Sequence, residues 1–282
     1  MQAKHGNWHI QVNNISDEIA EEISNRPDVT AVGWSAVFNE DADQPYTIGE
    51  RKATLYGTDE TYLAQLADGM EEGAFPQSDQ EVVLSSNAKL ALDVELGDSV
   101  TVQTPAGNVD LTISGFGSDD QEYYEGQTYL VAVYMTKDAF ISLMNENGVS
   151  GYVPACYVQF QSAAKAADAI AEIQAQYDLP EGSIRENTAI MGLAGQSSSE
   201  SMQNIYGLAA ILFIMVLLAG VLMISGSMNS QVAQRTKFFG MMRCIGASRK
   251  QVIRFVRLEA LNWCKTAIPI GLIVGTVITW AV

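Results

Sequence analysis

The chain has 282 residues, with 16 basic and 33 acidic side chains, a formal net charge of −17 and a sequence pI near 4.4. This length allows one large domain or two ordinary ones. The charge is uneven, because the part up to Asn204 holds 8 basic and 32 acidic residues, whereas the rest holds 8 basic residues and the single acid Glu259. Net charges of −24 and +7 predict two environments, one of them beside a membrane. A nucleic-acid partner is not expected, since the basic cluster is short and flanked by apolar runs.

The acidic part alternates β-branched or aromatic runs with amphipathic stretches, which is typical of a mixed α+β domain. Ser16 is the predicted N-cap of the first helix, followed by acids in its first turn. We expect an extracytoplasmic domain over residues 1–200, with two αβ lobes and a β-rich insertion between them. The predicted elements, in chain order, are strand Trp8–Val12, helix Ser16–Asn25, strand Val29–Val37, strand Ala53–Tyr56, helix Thr61–Ala67, strand Glu81–Leu84, helix Ala88–Leu92, a hairpin turning at Pro105–Asn108, strand Thr128–Tyr134, helix Lys137–Asn145, strand Val153–Gln161, helix Ala163–Tyr177 and strand Ser183–Ala189.

The segment Gly195–Asn204 is rich in serine and allows two interpretations. Its composition is typical of a flexible linker. Alternatively, the helix that follows starts early and projects outward as a stalk.

Two apolar runs follow, and both are predicted to be transmembrane helices. The first, Ile205–Ser225, lies in an uncharged stretch and has 21 residues, which as a helix extends about 30 Å, the thickness of a bilayer's hydrocarbon core. The second, Thr266–Val282, has 17 residues and is either truncated or lengthened by the turn at Leu258–Trp263. It contains Gly271 and Gly275, whose G-x-x-x-G spacing is a weak signal for helix packing. The predicted boundaries are 201–228 for the first span, 229–265 for the connection and 266–282 for the second span.

The connection between the two spans carries all 8 basic residues that follow Asn204. By the positive-inside rule it is cytoplasmic, which makes the protein multi-pass in the cell (plasma) membrane, with residues 1–200 outside. The cations are Arg235, Lys237, Arg243, Arg249, Lys250, Arg254, Arg257 and Lys265.

The usual signatures of catalysis, nucleotide binding and metal binding are absent from the sequence. No G-x-x-x-x-G-K-[ST] motif occurs, so an ATP-driven role requires another subunit. His5 and His9 have no carboxylate between them and favour a strand approach over a zinc site. The acidic stretches Asp41–Asp43 and Asp119–Glu125 lack the spacing of an EF-hand loop and are interpreted as solvated faces. No nucleophile has a recognisable partner, so we expect no enzyme activity, no cofactor and no metal.

Within the connection, the sequence predicts a helix, a Gly-Ala break and a second helix. The first helix runs over Gln234–Ile245 and is interrupted by Gly246. Ser248 and Gln251 fit an S-x-x-[EQ] capping box at the start of the second helix.

This helix-Gly-Ala-Ser-helix order, RTKFFGMMRCIGASRKQVIRFVRLEAL, resembles the cytoplasmic segment of FtsX-like permeases, the MacB-type ABC transporter subunits. LADGMEEGAFPQSDQEVVLSSNAKLALDVELGDSVTV, residues Leu66–Val102, is similar to part of their outer core domain. The resemblance implies four membrane helices in a complete member, so the first and fourth are missing from this sequence. It also implies a cytoplasmic ABC ATPase and a second permease subunit, identical or not, as partners within the lipid bilayer.

The resemblance further implies that the segment matching Arg235 to Gly246 is a coupling helix that docks on the ATPase. Apolar residues at helical spacing are available as anchors, in the manner of a helix bound in a groove. Many relatives have an acidic residue where Phe238 stands, which favours a more apolar groove on the partner. Alternatively, the basic residues only set the topology and bind anionic lipid. The candidate ATPase-coupling residues are Arg235, Lys237, Phe238, Met241, Met242, Arg243, Ile245, Gly246, Ala247, Ser248 and Arg249.

These features are compatible with three functions. The first is a permease subunit that couples ATP hydrolysis by a separate ATPase to movement of the outer domain, for export or extraction of peptides, antibiotics or lipids. The second is a signalling or scaffold subunit that senses antimicrobial peptides or activates a cell-wall hydrolase. The third, an anchored outer enzyme, has little support in the sequence.

Overall fold

The computed structural model describes residues 6–38, 46–67, 69–118, 124–125 and 128–281. It divides into two compact units, Met1–Tyr206 and Gly207–Val282. The acidic stretch Asp41–Asp43, His5 and all of Asp119–Glu125 except the backbone of its last two residues lie outside the described residues.

The first unit is built on one large sheet. Of the twelve strands in its described residues, eleven follow one continuous hydrogen-bonded path, and the remaining strand pairs with a strand of that path. The strands are β1 (Ile10–Asn13), β2 (Val29–Phe38), β3 (Thr47–Ile48), β4 (Arg51–Thr58), β5 (Met70–Gly73), β6 (Glu81–Ser85), β7 (Ser99–Thr104), β8 (Gly107–Gly117), β9 (Tyr124–Glu125), β10 (Thr128–Thr136), β11 (Val153–Phe160) and β12 (Ile184–Glu186). The helices of the chain are α1 (Asp17–Ser24), α2 (Ala88–Leu92), α3 (Lys137–Glu146), α4 (Ala163–Gln176), α5 (Thr188–Leu193), α6 (Glu200–Gln234), α7 (Thr236–Cys244) and α8 (Arg249–Ala281), with a π-helical turn at Tyr62–Leu66.

One lobe is a split β-α-β arrangement formed by the two ends of this unit. Strands β12, β1, β11 and β2 lie in that order and pair antiparallel, which is the order of a ferredoxin-like β-α-β-β-α-β unit. Helices α1 and α4 contribute Ile23, Ala166 and Ile173 to a core that also holds Ile10 and Val158 of the sheet. The segment between β2 and β11 is therefore an insertion into this lobe.

The inserted segment closes into a small barrel. Strands β4, β3, β7, β8, β6 and β10 form a ring, because β10 pairs in parallel with β4 and returns the hydrogen bonding to its start. Residues two apart on these strands share one core, as expected when alternate side chains point into a barrel. These pairs are Ala53 and Leu55, Val82 and Leu84, Val100 and Val102, Leu111 and Ile113, and Val131 and Val133. The mixed α+β class is confirmed. The two αβ sections predicted on either side of the β-rich insertion form one lobe together.

Local signals place most helix starts correctly. The Ser16 hydroxyl accepts a hydrogen bond from Ile19 N, as its predicted N-cap role requires. Thr136 and Ser162 cap α3 and α4 in the same way. The predicted helix Thr61–Ala67 is instead the π-helical turn, and the predicted strand Ser183–Ala189 is divided between β12 and the start of α5.

The interpretation of Gly195–Asn204 as a flexible linker is wrong. Ser197 is buried, and its hydroxyl donates to Glu186 of β12 at 2.9 Å. Helix α6 starts at Glu200 inside the same segment, which agrees with the alternative of an early helix start. Serine composition alone did not reveal this contact, because the acceptor for the Ser197 hydroxyl lies on β12, 11 residues earlier in the chain.

Candidate functional site

Helix α6 is uncharged and apolar over most of its length and leaves its large apolar side chains exposed. Its 35 residues include Leu208, Phe213 and Leu222, each at least half exposed. In the described part of the chain, the stretches Glu200–Ser230 and Arg249–Val277 are long and apolar enough to cross a membrane. Exposed apolar surface of this extent is typical of a helix that contacts a membrane or another protein.

The second candidate span and the basic segment before it form one uninterrupted helix, α8. This helix runs through Leu258–Trp263 without a break and includes Pro269. Gly271 and Gly275 lie exposed on α8, and an added Cβ would meet no atom within 4 Å at either position. Their role in helix packing stays a prediction.

The short helix α7 carries the residues predicted to couple to an ATPase. Phe238, Met241 and Ile245 are exposed, with Ile245 at 87%, and their spacing of three and four places them along one side of the helix. Met242 is half-buried, unlike the other three. The cations Lys237, Arg243 and Arg249 are exposed, and Ala247 is half-buried.

The joint between α7 and α8 is specified by two end motifs. Gly246 has φ +99°, and Ala247 N donates to Met242 O at 3.0 Å while Gly246 N donates to Arg243 O at 3.1 Å. This is the bonding of a Schellman motif.

The predicted capping box follows at once and is confirmed. Ser248 N donates to the Gln251 side-chain oxygen at 2.8 Å, and Gln251 N donates to Ser248 Oγ at 3.4 Å. One helix end and the next helix start are thus fixed within a few residues of each other.

Two side-chain contacts also hold α7 against α8. Arg235 Nη1 lies 2.5 Å from Glu259 Oε1, and the rings of Phe238 and Phe255 have centroids 6.3 Å apart. Sequence reasoning assigned Arg235 and Phe238 to the partner and missed this brace. The available signal was Glu259, the lone acid among the basic residues of this half of the chain.

His9 has a structural role in the first unit. His9 is buried, and its Nδ1 accepts a hydrogen bond from Phe160 N at 3.1 Å. Burial lowers the pKa of His9, which favours the neutral imidazole. Within the described ranges, no three His, Cys, Asp or Glu side chains are grouped so as to hold a metal ion.

An α+β domain followed by helices that can cross a bilayer defines a membrane protein with a large domain outside its spans. The family model described as MacB-like periplasmic core domain matches residues 1–176, and the one described as FtsX-like permease C-terminal matches residues 210–282. The chain belongs to this family of MacB-type, FtsX-like permeases. Its members are membrane components of ABC transporters, work with an ABC ATPase and are not themselves enzymes.

Two solved structures are similar to the chain at low identity. The periplasmic region of MacB from Actinobacillus actinomycetemcomitans is 16% identical, with a TM-score of 0.45, over 70% of this chain and 96% of that one. A domain from Porphyromonas gingivalis, of a protein described as a permease, is 13% identical, with a TM-score of 0.40, over 64% of this chain and 89% of that one. A search of curated proteins found no match.

Proposed function

We propose that the chain is the part of an ABC transporter permease that transmits ATP-driven movement of a separate ATPase subunit to its own outer domain. In this proposal residues 1–200 lie outside the cell membrane, 229–265 lie in the cytoplasm, and the cargo is a peptide, an antibiotic or a lipid. A second permease subunit, identical or different, completes the membrane part.

The observation that carries the proposal is the exposed apolar side of α7. Phe238, Met241 and Ile245 present a row of apolar side chains on a helix that also carries cationic side chains. Such a row is the kind of surface that binds in an apolar groove of a partner.

The contacts between α7 and α8 support a mechanical role for α7. The Arg235–Glu259 ion pair and the two end motifs around Gly246 fix α7 on α8. A load applied to α7 is then passed to a membrane helix instead of being absorbed by a hinge. The absence of charged residues from Ser201 to Gln234 also favours a lever over a polar pathway.

The test is to replace Met241 and Ile245 together by Asp in the full chain, expressed with its ATPase subunit. We expect the ATPase to be lost on purification, or its hydrolysis to become independent of the permease, because two buried carboxylates in an apolar groove are strongly unfavourable. The control is Leu90→Asp, which places one such carboxylate at a residue that is 94% exposed in the outer domain. Unchanged association and unchanged coupled hydrolysis in the double variant would remove α7 as the docking helix.

A further inference from the structure

The chain that leads into α6 is fastened to the outer domain through one carboxylate. Glu186, at the end of β12, accepts from Ser197 Oγ at 2.9 Å and from Ser198 N at 3.0 and 3.1 Å, and also from the Ser198 hydroxyl. We call this set of contacts between Glu186, Ser197 and Ser198 the Glu186 clasp. Hydrogen bonds to an ionised carboxylate are the strong class in proteins.

The clasp continues into the first turns of α6. Ser197 Oγ, while donating to Glu186, also accepts from Ser199 N at 3.2 Å. Ser197 O accepts from Gln203 Nε2 at 2.8 Å, one turn inside the helix. The buried Ser197 is therefore bonded on both sides, to the sheet and to the helix.

A second set of contacts lies one helical turn further on. The Tyr206 hydroxyl donates to Gly192 O at 2.8 Å. Met202 packs on Gly192 so closely that an added Cβ there would lie 2.0 Å from the Met202 methyl group. Met202 and Tyr206 are four residues apart, so one side of α6 rests on the end of α5.

The other side of the clasp is anchored in the lobe itself. Glu186 pairs with Ile10 of β1, and Asn187 N donates to His9 O at 2.9 Å. Met191 of α5 is fully buried in the core of this lobe. The carboxylate is thus held by a strand and a core helix, and not by a mobile loop.

We propose that Glu186 is a positioning residue that makes the outer domain and the start of α6 one rigid body. This rests on the proposed function, in which movement of the membrane helices reaches the outer domain. Loss of the carboxylate leaves Ser197 and Ser198 without their shared acceptor, so α6 is held to the domain only by its contacts with Gly192 and the junction loosens. The role belongs to the charged carboxylate, because an amide in its place offers one acceptor oxygen instead of two.

The first experiment measures the rigidity of the junction in the full chain in lipid nanodiscs. Spin labels are placed at the exposed positions Ala175→Cys on α4 and Asn204→Cys on α6, with Cys244 and Cys264 changed to Ser. In the parent chain, electron–electron distance measurement should give one narrow distribution.

The Glu186→Gln variant should widen this distribution at least twofold, whereas Glu181→Gln, a change at an exposed acid shortly before β12, should leave it narrow. Ser197→Ala keeps the charge but removes a donor, and it should also widen the distribution. If Glu186→Gln does not fold, the distance distribution of Ser197→Ala tests the proposal in its place. The proposal is overturned if the variants that fold keep the parental width.

The second experiment separates a positioning role from general loosening. A fluorophore at either Ala175→Cys or Asn204→Cys reports the response of the permease–ATPase complex to ATP and vanadate. In Glu186→Gln the response at position 204 should stay within twofold of the parent, while the response at position 175 should fall at least fivefold. Retention of both responses, or equal loss of both, contradicts the positioning role. If the parent complex itself does not respond, the proposed ATP coupling fails, and the distance widths still decide the clasp.

Discussion

His9 shows how one side chain acquires a structural role that its type does not reveal. It lies just before β1, and its Nδ1 accepts the Phe160 N–H at 3.1 Å. The two rings are edge to face, with centroids 6.4 Å apart. Because Nδ1 is an acceptor, the neutral ring carries its proton on Nε2, and protonation of Nδ1 would remove this bond.

This arrangement predicts the dependence of stability on pH. The pKa of His9 is lowered by burial in the folded chain, whereas in the unfolded chain it is near the ordinary value of about 6.5. Below about pH 6.5 the unfolded state binds a proton that the folded state does not, so the free energy of unfolding falls until the folded pKa is reached. Above that range the stabilisation is fully present.

His9→Asn should reduce this acid-induced loss, because an amide oxygen can accept the Phe160 N–H without titrating. The measurement is denaturant unfolding of the parent, His9→Asn and His5→Asn chains from pH 7.5 to 5. The comparison separates the only two histidines of the chain. Equal pH slopes for the parent and His9→Asn would show that His9 does not cause the loss.

At the scale of elements, β2 and the π-helical turn approach each other through a glycine. Gly33 lies on β2, and a Cβ built there would be 2.7 Å from both the N and Cα atoms of Tyr62. The Asp59 carboxylate ties the two together, since it accepts from Trp34 N and Tyr62 N, each at 2.7 Å. The neighbouring atoms are backbone, so a small change of rotamer cannot relieve the contact.

Gly33→Ala should therefore lower the free energy of unfolding by about 1–3 kcal/mol, the usual cost of overpacking. Gly151→Ala is the matched control, because a Cβ there meets nothing within 4 Å and its φ is not positive. We expect that control to stay within about 0.5 kcal/mol of the parent. Thermal unfolding of both variants provides the measurement, and equal effects would show that the turn moves aside without cost.

Prediction from sequence succeeded for the elements whose signals are local. The capping box at Ser248 and Gln251 and the caps of the outer helices depend on residues three apart. Closure of the barrel was not predictable in this way, since residues of β10 pair with residues of β4 that lie 78 positions earlier, as Leu130 does with Lys52. The brace and the clasp have the same character, because Arg235 meets Glu259 and Glu186 meets Ser197 across folded chain.

At the scale of the whole molecule, charge and the positions of the cysteines allow a test of orientation. The part after Asn204 has a net charge of +7, from which the positive-inside rule predicts that the segment around α7 is cytoplasmic. Cys244, in α7, is exposed, whereas Cys156 is buried. Burial raises the pKa of the Cys156 thiol to about 12, which keeps it protonated and unreactive.

We therefore expect Cys244 to resist a membrane-impermeant maleimide in intact cells and to react after permeabilisation. Cys264 is changed to Ser so that Cys244 is the reactive thiol, and the chain is expressed without its ATPase so that a partner does not cover α7. The control adds Ala175→Cys at an exposed position of the outer domain, which should react in intact cells. If Cys244 is labelled in intact cells and position 175 is protected, the chain has the opposite orientation in the membrane. In that orientation α7 could not contact a cytoplasmic ATPase, and the ion pair between Arg235 and Glu259 would have no part in coupling.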